Sequence, residues 1–202
     1  MTTRVLVPLA EGFEEIETVT IVDVLRRAEL EVTLAGLSPR SAPGSTSGSS
    51  SGPISEPIRG SRGIRVQPDV DWSAVDPAAF DVLVLPGGMG GTLCMIDEPT
   101  LLDAVRTNFA AGHLTAAICA APMVLEAAGI LSDGGSSAFT AHPSVHGRLP
   151  GGRLERTERV VRSGHLLTSQ GPGTAMEFAL AIVAELVGPG KARELAEAMV
   201  VA

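Results

Sequence analysis

The chain has 202 residues, of which 45% are hydrophobic and 19% are charged, a composition that supplies one substantial core and excludes a disordered chain. Its formal net charge of -8 provides no basic field for a phosphate backbone or an anionic membrane, which argues against nucleic-acid and membrane binding. The two cysteines form neither a disulfide framework nor a zinc-binding spacing, and the N-terminal apolar run is too short to span a bilayer, so we expect a cytoplasmic protein with reduced thiols.

The N-terminal part of the chain alternates between apolar runs and amphipathic stretches, as expected when buried parallel strands are joined by crossover helices. Residues 4–10 and 31–36 predict the first two strands, and residues 14–28 predict a helix between them. The helix prediction depends on apolar residues that recur at helical spacing, namely Ile16, Val19, Val22 and Leu25.

A segment rich in Ser, Gly and Pro interrupts this pattern. Residues 38–53 contain too little apolar surface to offset their ordering entropy, so we predict a flexible insertion that extends to residue 62. We interpret it as an insertion within one domain that spans residues 1–202.

The remaining elements continue the α/β pattern. Further strands are predicted at 63–69, 80–88 and 113–118, and near 137–140, 153–161 and 165–168. Helices are predicted at 98–112, 121–131, 174–188 and 190–201. This order predicts an α/β sandwich around a mostly parallel sheet.

Cys119 stands where a predicted buried strand gives way to a predicted helix, in the stretch HLTAAICAAPMV. Its sulfur should lie at the carboxyl edge of the sheet, where helix N–H groups and the helix dipole favour an anion. We therefore predict a lowered pKa for this thiol, with the amides of Gly88 and Ala120 placed to hold an oxyanion. The alternative is a small apolar residue in a tight packing position, which is the commoner role of a lone buried cysteine.

Glu17 and His142 are candidate partners for that cysteine. Glu17 lies one turn inside the first predicted helix, where an apolar wall and a thiolate would raise its pKa and keep it protonated. His142 precedes a proline, in an extended or turn conformation that can hold an imidazole steady. Both have plainer explanations, because acidic residues favour helix N-termini and a lone histidine is weak evidence.

Several motifs together resemble the DJ-one/ThiJ/PfpI superfamily over nearly the whole chain apart from the insertion. They are Glu17, LPGG, AAICAAP, TAHP and LLTSQGPGTAMEFALAIV. Within that superfamily, CAAP, TSQGPGTA and the last helix are similar to the branch that contains the parkinsonism-associated deglycase and the bacterial YajL-type proteins. The resemblance implies a flavodoxin-like three-layer sandwich and a homodimer.

The resemblance also implies roles by position. It assigns the reactive cysteine to Cys119, the protonated glutamate that hydrogen-bonds it to Glu17, and the nearby histidine to His142. It assigns the oxyanion amides to Gly88 and Ala120.

Three further positions have less definite roles. Arg62 matches a family arginine near the pocket and the dimer contact, and Arg27 is a second candidate for such a contact. Cys94 falls where YajL-type members can carry a cysteine, so it either supports a second redox role or fills space.

Two differences from other branches of the superfamily narrow the range of expected activities. Ala120 follows the cysteine, whereas the protease-like and glyoxalase-type chaperone branches have a histidine there, so peptide hydrolysis is not expected. The chain also lacks the glycines and the His-x-Glu pair of class I glutamine amidotransferases.

The resemblance therefore implies a glyoxalase or deglycase that needs neither cofactor nor metal. Its substrates would be methylglyoxal, glyoxal, or early glycation adducts of proteins or nucleotides. The alternative is a non-catalytic oxidative-stress sensor or redox-regulated chaperone in which Cys119 is oxidised.

Overall fold

Strands and helices alternate along residues 2–37, 56–131 and 137–201, the parts of the chain that the computed structural model describes. The strands are β1 (Arg4–Leu9), β2 (Glu31–Gly36), β3 (Ile58–Arg59), β4 (Arg65–Val66), β5 (Val70–Asp71), β6 (Val82–Leu85), β7 (Leu114–Ile118), β8 (Ala138–Phe139), β9 (Arg153–Leu154), β10 (Val160–Ser163) and β11 (Leu166–Ser169). The helices are α1 (Glu15–Arg27), α2 (Met89–Ile96), α3 (Pro99–Ala110), α4 (Pro122–Ala127), α5 (Ala175–Leu186) and α6 (Pro189–Ala198). A 3-10 helix at Pro143–Arg148 follows β8.

The central sheet has seven strands in the order β10-β11-β7-β6-β1-β2-β5. All neighbouring strands are parallel except β10, which runs antiparallel to β11. Successive side chains of β1 enter two different core clusters, because neighbouring side chains of a strand point to opposite faces of the sheet.

Helices cover both faces of this sheet. The buried apolar side chains of α1, α5 and α6 belong to one core cluster, and those of α2, α3 and α4 belong to the other. The result is the predicted flavodoxin-like three-layer sandwich with a mostly parallel sheet. None of the helices in the described ranges is long and apolar enough to cross a membrane.

The strand predicted at 63–69 is wrong in extent. Only Arg65–Val66 is extended, and this β4 pairs antiparallel with β3 in a separate two-stranded sheet. The edge position beside β2 is taken by β5 instead. A polar two-residue strand contains too little pattern to show which partner it will find.

Helix α2 was not predicted. Gly90 and Gly91 lower its intrinsic helix propensity, which hides it from a propensity argument. A Cβ atom at Gly91 would lie 3.1 Å from the backbone of Phe13, so a glycine permits close packing there. Two predicted elements also differ in extent: α4 ends at Ala127, and 153–161 divides into β9 and the start of β10.

Most of the predicted insertion, residues 38–55, lies outside the described residues. The final part of that segment makes defined hydrogen bonds to the loop after β1. The Gly12 amide donates to the Arg59 carbonyl at 2.8 Å, and the Ser61 amide donates to the Phe13 carbonyl at 2.8 Å. Residues 59–61 are therefore tied to the loop that leads into α1.

Candidate functional site

The candidate site lies at the carboxyl ends of the central parallel strands. Glu17 follows β1, Gly87 and Gly88 follow β6, Cys119 follows β7, and Gly171 follows β11. The strand order reverses between β1 and β6, and open α/β sheets bind ligands at such a point.

The backbone of Cys119 is held in a strained conformation. Its φ of 64° lies in the left-handed region, which is unfavourable for a residue with a Cβ atom and is found disproportionately at functional sites. The Cys119 amide donates to the Ser169 carbonyl at 3.0 Å, and its carbonyl accepts from the His142 amide at 2.9 Å. These contacts fix the turn, while the half-buried side chain packs against both core clusters.

Glu17 is a fully buried carboxyl group beside this cysteine. Its Oε2 accepts a hydrogen bond of 2.8 Å from the Gly87 amide, and its Oε1 is buried without a well-formed hydrogen bond to any described residue. Burial raises the pKa of Glu17 to about 7, although the Gly87 amide and the Cys119 thiol act in the opposite direction. The upward direction agrees with the prediction for Glu17.

The predicted lowering of the Cys119 pKa is wrong. Burial, followed by the charge of the Glu17 carboxylate and its hydrogen bond, raises the pKa of the thiol to about 12. The amides of Gly88 and Ala120 favour the thiolate, as expected, but they do not outweigh burial beside a second acid. The two groups interact strongly, so they must be treated as one titrating pair.

Glycines make this close arrangement possible. A Cβ atom at Gly87 would lie 2.7 Å from both Glu17 Oε2 and Cys119 Cβ. Gly88 has a φ of 88°, and a Cβ atom there would collide with the Gly12 carbonyl oxygen. The PGG turn therefore brings backbone amides to both the acid and the sulfur.

His142 and the sulfur of Cys119 both lie close to Gly171. A Cβ atom at Gly171 would be 3.2 Å from His142 Cδ2 and 3.9 Å from Cys119 Sγ, so both side chains border this glycine. His142 is also the N-terminal cap of the 3-10 helix, because its ring accepts a hydrogen bond from the Ser144 amide. The structure thus brings Cys119, Glu17 and His142 together with the Gly88 and Ala120 amides.

The two predicted arginines lie differently. The Arg62 amide donates to the Glu15 carboxylate near the start of α1, while its exposed guanidinium contacts the Ser61 carbonyl. Arg27 is in the last turn of α1, about 15 Å along the helix axis from Glu17, and its guanidinium pairs with Asp23 at 2.8 Å. Arg27 therefore does not line the pocket, and a dimer contact by either arginine stays a prediction.

Cys94 lies on α2, and its side chain is exposed. Burial raises the pKa of its thiol, and the charges of Asp97 and Glu11 act in the same direction. Within the described ranges, no group of three or more His, Cys, Asp or Glu side chains is placed to hold a metal ion.

Sequence reasoning missed the contributions of Gly87, Gly171 and Ser144. The two glycines stand in the quoted LPGG and QGPG motifs, which gave a usable signal for close backbone approach. Ser144 stands two residues after His142, a spacing typical of a side chain that bonds a backbone amide in a turn.

A model of the DJ-1/PfpI family matches residues 3–185. Protein dj-1beta of Drosophila melanogaster is 39% identical over 203 aligned residues, which cover 100% of this chain and 99% of that protein. The crystal structure of Drosophila melanogaster DJ-1beta matches with a TM-score of 0.87 at 39% identity, covering 100% of both chains.

Two further relatives are similar over most of their length. The Danio rerio Parkinson disease protein 7 homolog is 37% identical over 188 residues, which cover 92% of this chain and 90% of that protein. The Caenorhabditis elegans glutathione-independent glyoxalase DJR-1.2 is 36% identical over 186 residues, covering 92% of this chain and 89% of that protein. By family model, sequence and fold, the chain belongs to the DJ-1/PfpI family.

Proposed function

We propose that the chain is a cysteine-dependent glyoxalase and deglycase. It acts on methylglyoxal or glyoxal and on early glycation adducts of proteins or nucleotides, and its own residues perform the chemistry. The observation that carries the proposal is the buried Glu17 carboxyl beside the Cys119 sulfur, with the Gly88 and Ala120 amides acting on the same sulfur. A relative named as a glutathione-independent glyoxalase supports the same reaction class.

The first step joins Cys119 to the aldehyde carbon of methylglyoxal. The S–H bond breaks as the C–S bond forms, and the Glu17 carboxylate accepts the proton. Glu17 then passes this proton to the former carbonyl oxygen, which becomes the hydroxyl of a hemithioacetal. The backbone amides of Gly88 and Ala120 stabilise negative charge as it develops on that oxygen.

The second step moves hydrogen between the two carbons of the substrate. Glu17 removes the proton from the former aldehyde carbon and returns it to the neighbouring carbonyl carbon. The hydroxyl proton of the hemithioacetal moves to the neighbouring oxygen, so the first carbon is oxidised to a carbonyl and the second is reduced to an alcohol. The product is a thioester on Cys119. Water then cleaves the C–S bond, which releases lactate and restores the thiol; glyoxal gives glycolate by the same steps.

Turnover of methylglyoxal by purified protein tests this proposal. Wild type should form lactate, Cys119→Ala should fall to the uncatalysed background, and Cys94→Ala should retain activity as a matched cysteine control. Glu17→Gln should lose activity while the Cys119 thiol still reacts with a thiol reagent. A wild type without turnover, or an active Cys119→Ala variant, contradicts the proposal.

A second candidate function is oxidation sensing at Cys119. The strained, half-buried position of Cys119 favours it, as does Glu17 Oε1, which is buried without a well-formed hydrogen bond to any described residue. A protonated Glu17 would donate to a sulfinate oxygen. Two equivalents of hydrogen peroxide would supply the two oxygens, and each would be reduced to water. This candidate predicts two added oxygens at Cys119 but not at Cys94 by peptide mass spectrometry, together with no methylglyoxal turnover.

A further inference from the structure

The ring of His142 is held by two hydrogen-bonding groups of Ser144. The Ser144 amide donates to His142 Nδ1 at 3.2 Å, and the Ser144 hydroxyl lies 2.8 Å from the same nitrogen. Both contacts fall on one edge of the imidazole, where the 3-10 helix begins.

These contacts determine where a neutral ring carries its proton. A backbone N–H can only donate, so Nδ1 must present its lone pair to the Ser144 amide. A neutral imidazole has one protonated nitrogen, which is then Nε2. The Ser144 hydroxyl favours the same tautomer when it donates to Nδ1.

The Cδ2 side of the His142 ring and the Cys119 sulfur border the same glycine, Gly171. Cδ2 is the ring atom nearest the position of a Gly171 Cβ, at 3.2 Å, and Nε2 is bonded directly to Cδ2. The same position is 3.9 Å from Cys119 Sγ. Nδ1 lies on the other side of the ring, toward Ser144.

The backbone of His142 is fixed relative to the cysteine as well. Its amide donates to the Cys119 carbonyl at 2.9 Å, and Ala141, the residue before it, offers its carbonyl to His146 Nε2 at 3.0 Å. The orientation of the ring is therefore set from the backbone side and from the Nδ1 side.

We propose that Ser144 is a positioning residue that holds His142 in the tautomer protonated on Nε2, so that His142 serves as a hydrogen-bond donor and not as a base. The consequence for the reaction rests on the proposed function. Glu17 is then the group that accepts protons, and His142 Nε2–H donates to the substrate oxygen that gains negative charge while hydrogen moves between the carbons. While Nε2–H donates this hydrogen bond, Nδ1 keeps its hydrogen bonds to Ser144.

Nitrogen-15 NMR of the intact protein tests the tautomer directly. Long-range proton–nitrogen correlations of the His142 ring, assigned by comparison with His142→Gln, should show Nδ1 unprotonated and Nε2 protonated at a pH where the ring is neutral. Ser144→Ala removes the hydroxyl but keeps the amide, so it should move the Nδ1 signal while Nδ1 stays unprotonated, and Ser144→Thr should restore the wild-type signal. A wild-type ring protonated on Nδ1 overturns the proposal.

Kinetics test the positioning role. Ser144→Ala should lower kcat for methylglyoxal by about three- to tenfold, the effect of one neutral hydrogen bond, with KM changed by less than about twofold. Ser144→Thr should recover kcat. Ser163→Ala is the matched control, because the Ser163 hydroxyl accepts a hydrogen bond from the Ala138 amide and does not contact His142.

The two readouts separate this inference from the proposed function. If wild type forms no lactate but its His142 ring carries the proton on Nε2 and responds to Ser144→Ala, the proposed function fails and the tautomer assignment stands. If wild type is active while Ser144→Ala matches it in kcat and in ring signals, the positioning role is wrong and the proposed function stands.

Discussion

At the scale of single residues, the site is a pair of acids that share a confined space. Burial raises the pKa of Glu17 to about 7 and that of Cys119 to about 12. Once one group loses its proton, the resulting charge opposes ionisation of the other. Near neutral pH the pair therefore alternates between no charge and a single negative charge.

The first prediction concerns the pH dependence of stability. Because the pKa of Glu17 rises from 4.5 in the unfolded chain to about 7 in the folded protein, the folded state holds a proton that the unfolded state releases between these values. Wild-type stability should fall as pH rises from 4.5 to above 7. Glu17→Gln should lose this dependence. The free energy of unfolding of the variant relative to wild type should therefore increase by about 3 kcal/mol over this pH range. Urea unfolding of both proteins at pH 4.5 and 8 measures this change. If the free energies of unfolding of wild type and variant change equally with pH, the raised pKa of Glu17 is refuted.

The second prediction concerns the pH dependence of the proposed activity. The single negative charge of the pair is what allows sulfur to attack and Glu17 to take the proton, so kcat/KM for methylglyoxal should rise as pH passes about 7. Glu17→Asp should reduce kcat/KM by about 100-fold, because a shorter side chain withdraws the carboxyl from the sulfur. Rates measured from pH 5 to 9 test this, and a profile that is flat across pH 7 would contradict it.

At the scale of elements, the turns after the strands bring the reacting groups together. Gly87 packs against both Glu17 Oε2 and Cys119 Cβ, and no larger residue fits there without displacing one of these side chains. Strand β6 and helix α2 therefore contribute to the site through Gly87 and Gly88, in the turn that joins them.

The third prediction is that Gly87→Ala disrupts the site. Its added methyl group would meet Glu17 Oε2 and Cys119 Cβ at 2.7 Å, which should cost about 1–3 kcal/mol of stability and abolish methylglyoxal turnover. Gly173→Ala is the matched control, because a Cβ atom there meets no described residue within 4 Å. Thermal unfolding and turnover should separate the two variants; if Gly87→Ala behaves like Gly173→Ala, the packing argument fails.

A set of hydrogen bonds joins the β3–β4 ribbon, residues 58–66, to α1. The buried Glu15 carboxylate accepts hydrogen bonds from the Ser61 hydroxyl, at 2.9 Å, and from the Arg62 amide. Burial acts to raise the pKa of Glu15, but these hydrogen bonds hold it below its ordinary value. The ribbon is thereby tied to the helix that also carries Glu17.

The fourth prediction tests that tie. Glu15→Ala should destabilise the protein by about 1–3 kcal/mol, because the Arg62 amide and the Ser61 hydroxyl lose their partner, and should raise hydrogen exchange in residues 58–66. Glu29→Ala, an exposed glutamate after α1, serves as the control. Unchanged exchange in the ribbon would show that Glu15 does not hold it.

At the scale of the whole molecule, one side of α1 is unusually apolar for a surface. Ile16 and Val19 are 58% and 51% exposed, and Ile64 of the β3–β4 ribbon is 57% exposed. The apolar spacing that predicted α1 therefore includes positions that the core does not cover. Exposed apolar side chains that form a common surface mark a protein contact. We propose that the face made by Ile16, Val19 and Ile64 joins two copies of the chain.

The fifth prediction follows from that face. Val19→Asp should convert a homodimer to a monomer in sedimentation velocity, because a charge on both copies would be buried at the contact. Val187→Asp, at a position 46% exposed outside α1, should leave the assembly unchanged. A monomeric wild type, or a dimer that tolerates Val19→Asp, would contradict this interface.

Much of the architecture was predictable because strands and helices differ in local periodicity. The pattern predicted β1, α1, β2, α3 and β7 closely. The strands, which are covered on both faces, are apolar runs, and the helices have apolar residues at helical spacing. It failed for α2, whose glycines satisfy a distant packing contact, and for β4, whose partner was not visible in two residues. Close contacts made by distant segments override local propensity at such places.

The sequence by itself determined the class of fold and named Cys119, Glu17 and His142 as the candidate site. Only the tertiary structure decided that the thiol has a raised pKa, that Gly87 packs against both Glu17 and Cys119, and that Ser144 contacts Nδ1 of His142. The physical reason is that residue type and spacing show which groups are available. Protonation depends on burial and on neighbours up to a hundred residues away, and folding alone brings these together.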